Sequence, residues 1–498
     1  MRAGSFFLIL AGKSVTSKIM KLLKHLTLLC MLVALAAGCT KQAPPSLDLL
    51  TTSISLPCEG GTAEVSIKTN QNWTVSASQP WLTVMPGGGS ASADYQTLTI
   101  TATANEGEEK RQAEVTVTTG ELSRMVSVSQ AGTPRFTIRD FLAKPANTTT
   151  WYRLTGEVAS LPEEHYGNFY LIDDTGLVYV YGLCEKRVNS NDQSFSKLGL
   201  KPGDTVTMMT LRSEHNKVAE AGGTTPAYFV SKVSGQYKLG SKVKSTSAKW
   251  MELPATSATD GQDLLIHRFA DGKRSYSAYW DYKNLVSSWV AYPLHAGNIG
   301  DGSRSVESSF PMDPLLTQAE QPYLSAGYRA GNASGTFDRG HQIASADRPR
   351  LRPNFETFFG TNITPQDNGL NSGPWGSLEI KVRNWAKNAA TDTLYVVTGC
   401  YGADAAAKYV EDSNGKHVGV PAGYYKALLR LSKDKTYSAL GIWYDNKFSE
   451  DTNFKGLSMS IDALEKKVGV DFFVNLPDDV EKTVEAADPK AENWWWNN

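Results

Sequence analysis

From residue 46 to residue 132 apolar and polar residues alternate in short runs, such as Ala63-Glu64-Val65-Ser66-Ile67 and Leu98-Thr99-Ile100-Thr101-Ala102. A period of two places one set of side chains on a buried face, and Gly60-Gly61 and Gly87-Gly88-Gly89 supply turns between the runs, so this segment predicts an antiparallel sandwich. Trp73 and Trp81 fall among these strands and are expected as core aromatics. Residues 135–236 predict a second β domain, with Tyr152–Val158, Asn168–Asp174 and Val178–Gly182 as strands and Pro202-Gly203-Asp204 as a turn feeding another. The stretch from Tyr237 to Ser247, rich in Gly, Ser, Thr and Lys, is expected to be a linker. Beyond it the period changes. Trp375, Leu378, Val382 and Trp385 recur at helical spacing, and Pro374 suits a first helical turn because its fixed φ and missing N–H cost nothing there. Glu379 and Arg383, four apart, share a second face of that helix, and Asn371 lies just before its start. Phe358-Phe359 and Leu394–Val397 are expected as flanking strands, giving the order strand, loop, helix, strand.

The whole chain has 498 residues, 41% hydrophobic and 20% charged, which is ordinary globular composition and enough for about three domains. Fifty Lys and Arg stand against 51 Asp and Glu, so a net charge of −1 excludes a protein that holds polyanions by a global positive field; any such contact must be local. Ahead of the β segments, Met20-Lys21-Leu22-Leu23-Lys24 opens an apolar run that ends in Ala36-Ala37-Gly38-Cys39, the pattern of an export signal. It resembles a bacterial lipoprotein lipobox, which implies cleavage before Cys39, acylation of that thiol and a membrane anchor; Met20 already opens a complete signal, which leaves the start between Met1 and Met20 open. The expected location is therefore beyond the inner membrane, lipid-anchored at Cys39 on the periplasmic side of the outer membrane or at the cell surface. Residues 1–39 form this signal region. With Cys30 and Cys39 set aside, Cys58, Cys184 and Cys400 fall in three different expected domains and are read as bland thiols.

The densest chemistry lies between Asp338 and Arg383: Asp338-Arg339-Gly340-His341, Asp347-Arg348, Thr361-Asn362-Ile363-Thr364-Pro365-Gln366 and Leu370–Trp375, followed by Glu379. Hydrolysis of a phosphate ester needs a base for water, a cation on the scissile phosphate and positive charge for the transition state; His, Asn with Glu, and Arg are residues of those kinds. Taken singly, His341 is a loop histidine, Asn371 a helix cap and Glu379 with Arg383 an exposed pair worth about 0.3 kcal/mol. Their order and spacing together favour the chemical reading. Asp338 and Asp347 are expected to support the loop, and His267, His295 and His417 lack metal-ligand spacing. Trp494–Trp496 is expected to be a hydrophobic flap.

This segment resembles the DNA/RNA non-specific endonucleases, marked by a DRGH motif followed by an Asn-rich loop and a helix. The likeness runs from about Trp250 to Trp496 and includes Trp289–Tyr292, Val397-Thr398-Gly399, Val420-Pro421, Tyr425-Lys426 and Phe472–Pro477. It implies a ββα-metal fold in which His341 is the general base, Asn371 holds the metal and Glu379 orients metal-bound water. Arg339 and Arg383 would bind phosphate, and Asn362 would brace the loop or the site. The implied cofactor is Mg²⁺, with Mn²⁺ as a substitute, the substrates are DNA and RNA, and the products carry 5′-phosphates. Trp73, Trp81-Leu82, Asn105, Arg111 and Val128–Gly132 make residues 46–132 resemble a BACON domain, an Ig-like module whose presence implies a spacer or a glycan contact. Residues 135–236 resemble an OB-fold, on which Tyr170, Tyr179 and Tyr181 could stack bases or serve as ordinary strand residues.

The expected architecture is thus multidomain: an N-terminal Ig-like β-sandwich (46–132), an OB-like β-barrel (135–236) and a C-terminal α+β nuclease with a ββα-metal motif (248–498). The expected function is a metal-dependent, sugar-non-specific endonuclease. The rival is a secreted glycan- or nucleic-acid-binding lipoprotein whose nuclease-like domain is inactive.

Overall fold

A computed structural model of the chain describes residues 43–257, 260–304 and 310–497. The export signal, Cys30 and Cys39 lie outside the described residues. No described helix is long and apolar enough to cross a membrane. The chain divides into two compact units, at Thr133 and Pro134.

In the first unit the alternation produces two sheets that share one core. Leu47–Leu49, Gly61–Thr69, Ser92–Ala102 and Leu82–Met85 make one sheet, in that order. Ser53–Leu56, Leu122–Gln130, Arg111–Thr119, Trp73–Ala77 and Gly88–Gly89 make the other. Inward residues such as Val65, Ile67, Leu98, Ile100, Val115 and Val126 are fully buried between them with Trp73. Trp81 lies at the edge of this core beneath the Arg111 guanidinium, 4.4 Å from the ring centre.

The second unit begins with a closed barrel. Tyr152–Glu163, Asn168–Ile172, Leu177–Cys184, Val218–Val233 and Thr205–Thr210 pair in that order, and the last strand pairs back on the first. The register shift between Tyr181 and Leu183 lets Gly182, at φ +85°, turn the third strand. Tyr170 does not project to solvent. It is buried in a core that also contains Phe355, Phe358 and Phe359 of the C-terminal domain, with its ring 5.2 Å from Phe355. Tyr179 is half-buried beside it and Tyr181 is exposed, so the three do not form one open stacking face.

The C-terminal domain is built on an eight-stranded antiparallel sheet: Gly240–Val243, Asp263–Arg268, Arg274–Asp281, Val286–Leu294, Thr391–Tyr401, Gly423–Ser432, Tyr437–Asp445 and Ser458–Met459. The expected linker is therefore corrected. Gly240–Val243 inside it completes the sheet edge, and Tyr237 donates to Glu356 at 2.9 Å. Low apolar content hid this strand, because an edge strand can be held by backbone hydrogen bonds without a greasy face. Alternation along the strands makes two cores. Val290, Tyr292, Leu394, Val396 and Leu428 face one side with Trp375, Leu378, Val382 and Trp385 of the helix Gly376–Lys387; Ala291, Val397, Ala427 and Leu429 face the other with the helix Ile461–Val468. Each buried helix side chain contributes about 2 kcal/mol of transfer free energy. Trp495 closes the first core, and its carbonyl accepts from Trp385 Nε1 at 2.9 Å.

Candidate active site

The short strands Phe337–His341 and Ile363–Asp367 pair antiparallel, with His341 opposite Ile363 and Asp338 opposite Gln366. Gly340 is required here, because a Cβ would stand 2.5 Å from the Cβ of Gln366. Alternation puts Arg339 and His341 on one face of this ribbon and Asp338 on the other.

His341 is held by aromatic rings: Phe358 meets it edge-on at 4.8 Å between centroids, and Phe310 lies 5.8 Å away. Its Nε2 is buried and has no hydrogen-bond partner among the described residues. Burial, with the positive charges of Arg304 and Arg339, pushes the imidazole down to about 3, which keeps it neutral but weakly basic. Arg339 lies over the Phe310 ring, its Cζ 3.9 Å from the centre, and donates to the carbonyls of Leu324 (2.8 Å) and Ser325 (3.3 Å), which holds its guanidinium on the ring that packs beside the imidazole.

On the other face, Asp338 accepts from Asn371 Nδ2 at 2.8 Å and from Asn368 Nδ2 at 3.0 Å. An ionised carboxylate only accepts, so it selects the amide NH₂ of Asn371 and leaves that side chain's Oδ1 for a cation. His341 and Asn371 are thus joined through the strand, not by a direct bond, with the ends of the motif about 10 Å apart.

The helical run begins earlier than the sequence suggests. The Asp367 carboxylate caps it by accepting from the N–H groups of Gly369 (3.0 Å) and Leu370 (3.1 Å), so Asn371 lies within the run. Pro374 has no N–H to return to Leu370, and the backbone widens into a π-type turn over Asn371–Trp375, with Gly373 at φ −99°, ψ −116°. The regular helix Gly376–Lys387 follows, with the apolar face expected. Phe358-Phe359 is not a strand. The two rings follow the short helix Arg352–Glu356 and are buried; an apolar pair does not distinguish a strand from a packed turn.

Glu379 and Arg383 point into this wall and do not form an exposed pair. Arg383 Nη1 donates to Asp347 Oδ1 at 3.0 Å, and Asp347 Oδ2 accepts from the Tyr292 hydroxyl at 2.8 Å. Burial pushes the Glu379 carboxyl up to about 7, against the pull of Lys426. Asn362 uses its whole amide on backbone: Nδ2 donates to Thr357 O (2.6 Å) and Ile343 O (3.0 Å), and Oδ1 accepts from Ile343 N at 2.9 Å. These bonds fit the bracing role and keep Asn362 off the reacting groups.

Two cations have no role assigned from the sequence, although Lys426 falls within the family likeness. The Arg304 guanidinium lies 5.7 Å from the centre of the Phe358 ring that packs on His341, and its charge lowers the pKa of both His341 and Glu379. It comes from a loop with no motif around it. Lys426 is buried, donates to Thr398 Oγ1 at 2.8 Å and lies 4.7 Å from the Trp375 ring centre. A lysine in the otherwise buried strand Gly423–Ser432 was the signal that could have found it. Cys400 is buried and pushed up to about 12, which makes it an inert thiol, and Cys58 and Cys184 are free.

Comparison with known proteins bears on this arrangement. Residues 263–479 match the family model of the DNA/RNA non-specific endonucleases, and residues 44–133 match that of the viral BACON domain. A nuclease of Serratia marcescens is 26% identical over 220 residues, which is 43% of this chain and 78% of that protein. A nuclease of Nostoc sp. is 27% identical over 225 residues, 43% and 76% of the two chains. Human mitochondrial endonuclease G is 30% identical over 165 residues, 32% and 53% of the two chains. The C-terminal part of this chain is a nuclease, a hydrolase domain of the DNA/RNA non-specific endonuclease family, and a BACON domain precedes it.

Proposed function

We propose that the chain is an exported, lipid-anchored, Mg²⁺-dependent endonuclease that cuts DNA and RNA without regard to sugar, leaving 5′-phosphates. The observation that carries this reading is the imidazole of His341 packed in one aromatic cluster with Phe310 and Phe358, with the Arg339 guanidinium over the Phe310 ring.

The donor set suits a hard cation. Asn371 offers an amide oxygen whose NH₂ is already committed, and Glu379 follows it in the helix Gly376–Lys387. Mg²⁺, or Mn²⁺ in its place, would supply charge neutralisation at a non-bridging phosphate oxygen and at the leaving oxygen. The rest is done by side chains. Arg304 and Arg339 receive the phosphate, and its negative charge raises the basicity of His341 from its low value, because it favours the imidazolium against burial, the main depressing influence, and offsets the two arginine charges that add to it. His341 then takes the proton of the attacking water. Arg383, held by Asp347, and Lys426 offset charge developing on the opposite wall. Contacts to phosphate and not to base edges give little sequence preference.

A plasmid-nicking assay with Mg²⁺, with EDTA and with His341→Ala tests the proposal. Wild type should relax supercoiled DNA only with the metal, and the variant should lose about 10²–10⁴-fold in rate. Intact plasmid across several divalent ions would leave the rival reading, a binding lipoprotein with an inactive domain.

A further inference from the structure

The helices Ile461–Val468 and Asp478–Ala486 pack on the sheet face opposite to the one covered by Gly376–Lys387. They bring three carboxylates together. Asp462 and Glu465, three residues apart, share one helix face, and Glu485 comes from the last turn of the second helix. One oxygen from each lies within 4.8 Å of the other two.

A cluster of acids on a surface is common and means little. Here one member is not on the surface: Glu485 is 5% exposed, and its Oε1 is buried without a hydrogen-bond partner. Leaving a buried carboxylate oxygen unpaired is costly, so such an atom calls for a proton or a cation. The charges acting on it most, those of Glu465, Glu481, Asp471 and Asp462, are all negative. Glu465 is fixed by accepting from the Phe472 N–H at 2.7 Å, so the cluster is built on a held side chain.

We infer that Asp462, Glu465 and Glu485 form a second, structural cation site that takes Ca²⁺ and clamps the two helices together. All three ligands are hard oxygens, without the nitrogen or sulfur that would favour zinc. The three oxygens lie close enough to share one ion, and a set of three carboxylates suits Ca²⁺, whereas Mg²⁺ keeps several of its waters and takes one or two carboxylates. The site stands apart from the hydrolytic chemistry.

The test uses the full chain carrying Asn371→Ala, which removes the proposed catalytic ligand, stripped with EDTA. Thermal unfolding is followed with and without millimolar Ca²⁺ or Mg²⁺, and calcium binding is measured by calorimetry. The parent should gain several degrees with Ca²⁺, less with Mg²⁺, and bind one ion; adding Glu485→Gln should abolish both effects. Asp462→Asn, at an exposed position that cannot unfold the domain, should at least halve the calcium shift. No calcium shift in the parent would mean Glu485 simply holds a proton, and the proposal fails. Equal shifts in the parent and the Glu485→Gln variant, or a larger shift with Mg²⁺, also overturn it. In the Asn371-intact chain, Glu485→Gln should keep wild-type cleavage with Mg²⁺, so loss of nuclease activity elsewhere does not bear on this site.

Discussion

Asn371 cannot present an oxygen to a cation unless its amide is turned the right way, and the carboxylate of Asp338 turns it. This gives the first residue of the DRGH motif a task that its position three residues before the histidine did not announce. Asp338→Ala frees the amide to rotate, and loss of such an orienting partner typically costs 10–100-fold in metal affinity. The Mg²⁺ concentration for half-maximal cleavage should rise by about that factor while the rate at saturating Mg²⁺ stays near wild type. An unchanged metal dependence would show that Asp338 merely props the loop. The same logic separates the two arginines that sequence reasoning grouped: Arg339 is braced by carbonyls and an aromatic face beside the base, Arg383 by a carboxylate on the other wall.

At the scale of elements, the irregular turn is what aims Asn371. A proline four residues after Leu370 deletes one rung of the helical ladder, and the backbone from Asn371 to Trp375 relaxes into a wide turn. Pro374→Ala restores the missing N–H and permits a regular helix from the Asp367 cap onward. Thermal stability should hold or rise slightly, while cleavage should fall at least tenfold because Asn371 rotates away from Asp338. Equal losses in stability and activity would mean that Pro374 only fits the core. Periodicity revealed the regular helix, since Trp375, Leu378, Val382 and Trp385 repeat as a buried stripe must. It could not reveal the helix's true start, which depends on one side chain, Asp367, folding back on two backbone N–H groups.

In the molecule as a whole, the barrel and the nuclease domain form one cooperative unit. Tyr170 and Ile172 share a core with Phe310, Phe355 and Phe358, and Arg352 pairs with Glu157 of the barrel at 2.9 Å. Removing residues 135–236 should therefore expose those rings and give aggregated protein; a soluble, active nuclease after the deletion would show that the barrel is a detachable module. The seam also carries a pH signature. Glu356 is buried beside it and pushed up to about 7, above the ordinary carboxyl value of 4.5. Between those values the folded state holds a proton that the unfolded state releases, so stability is lost as pH rises from about 4.5 to about 7. Glu356→Gln should flatten that decline by on the order of 2 kcal/mol, read from urea unfolding at the two ends of the range; an identical slope in the variant would place the burden elsewhere, for instance on the buried His267–Asp313 pair at 3.1 Å. By itself the sequence determined the β-rich modules, the helix stripe and the family, and it singled out His341, Asn371 and Glu379 as candidates, because periodicity and short motifs are local and survive in one dimension. Only the tertiary structure decided that Gly240–Val243 closes a sheet edge, that Tyr170 is packed and not displayed, and that Arg304 packs toward Phe358 and Lys426 is buried against Trp375. Those facts depend on which distant surfaces meet, and burial and electrostatic field at a residue are set by neighbours that no local pattern encodes.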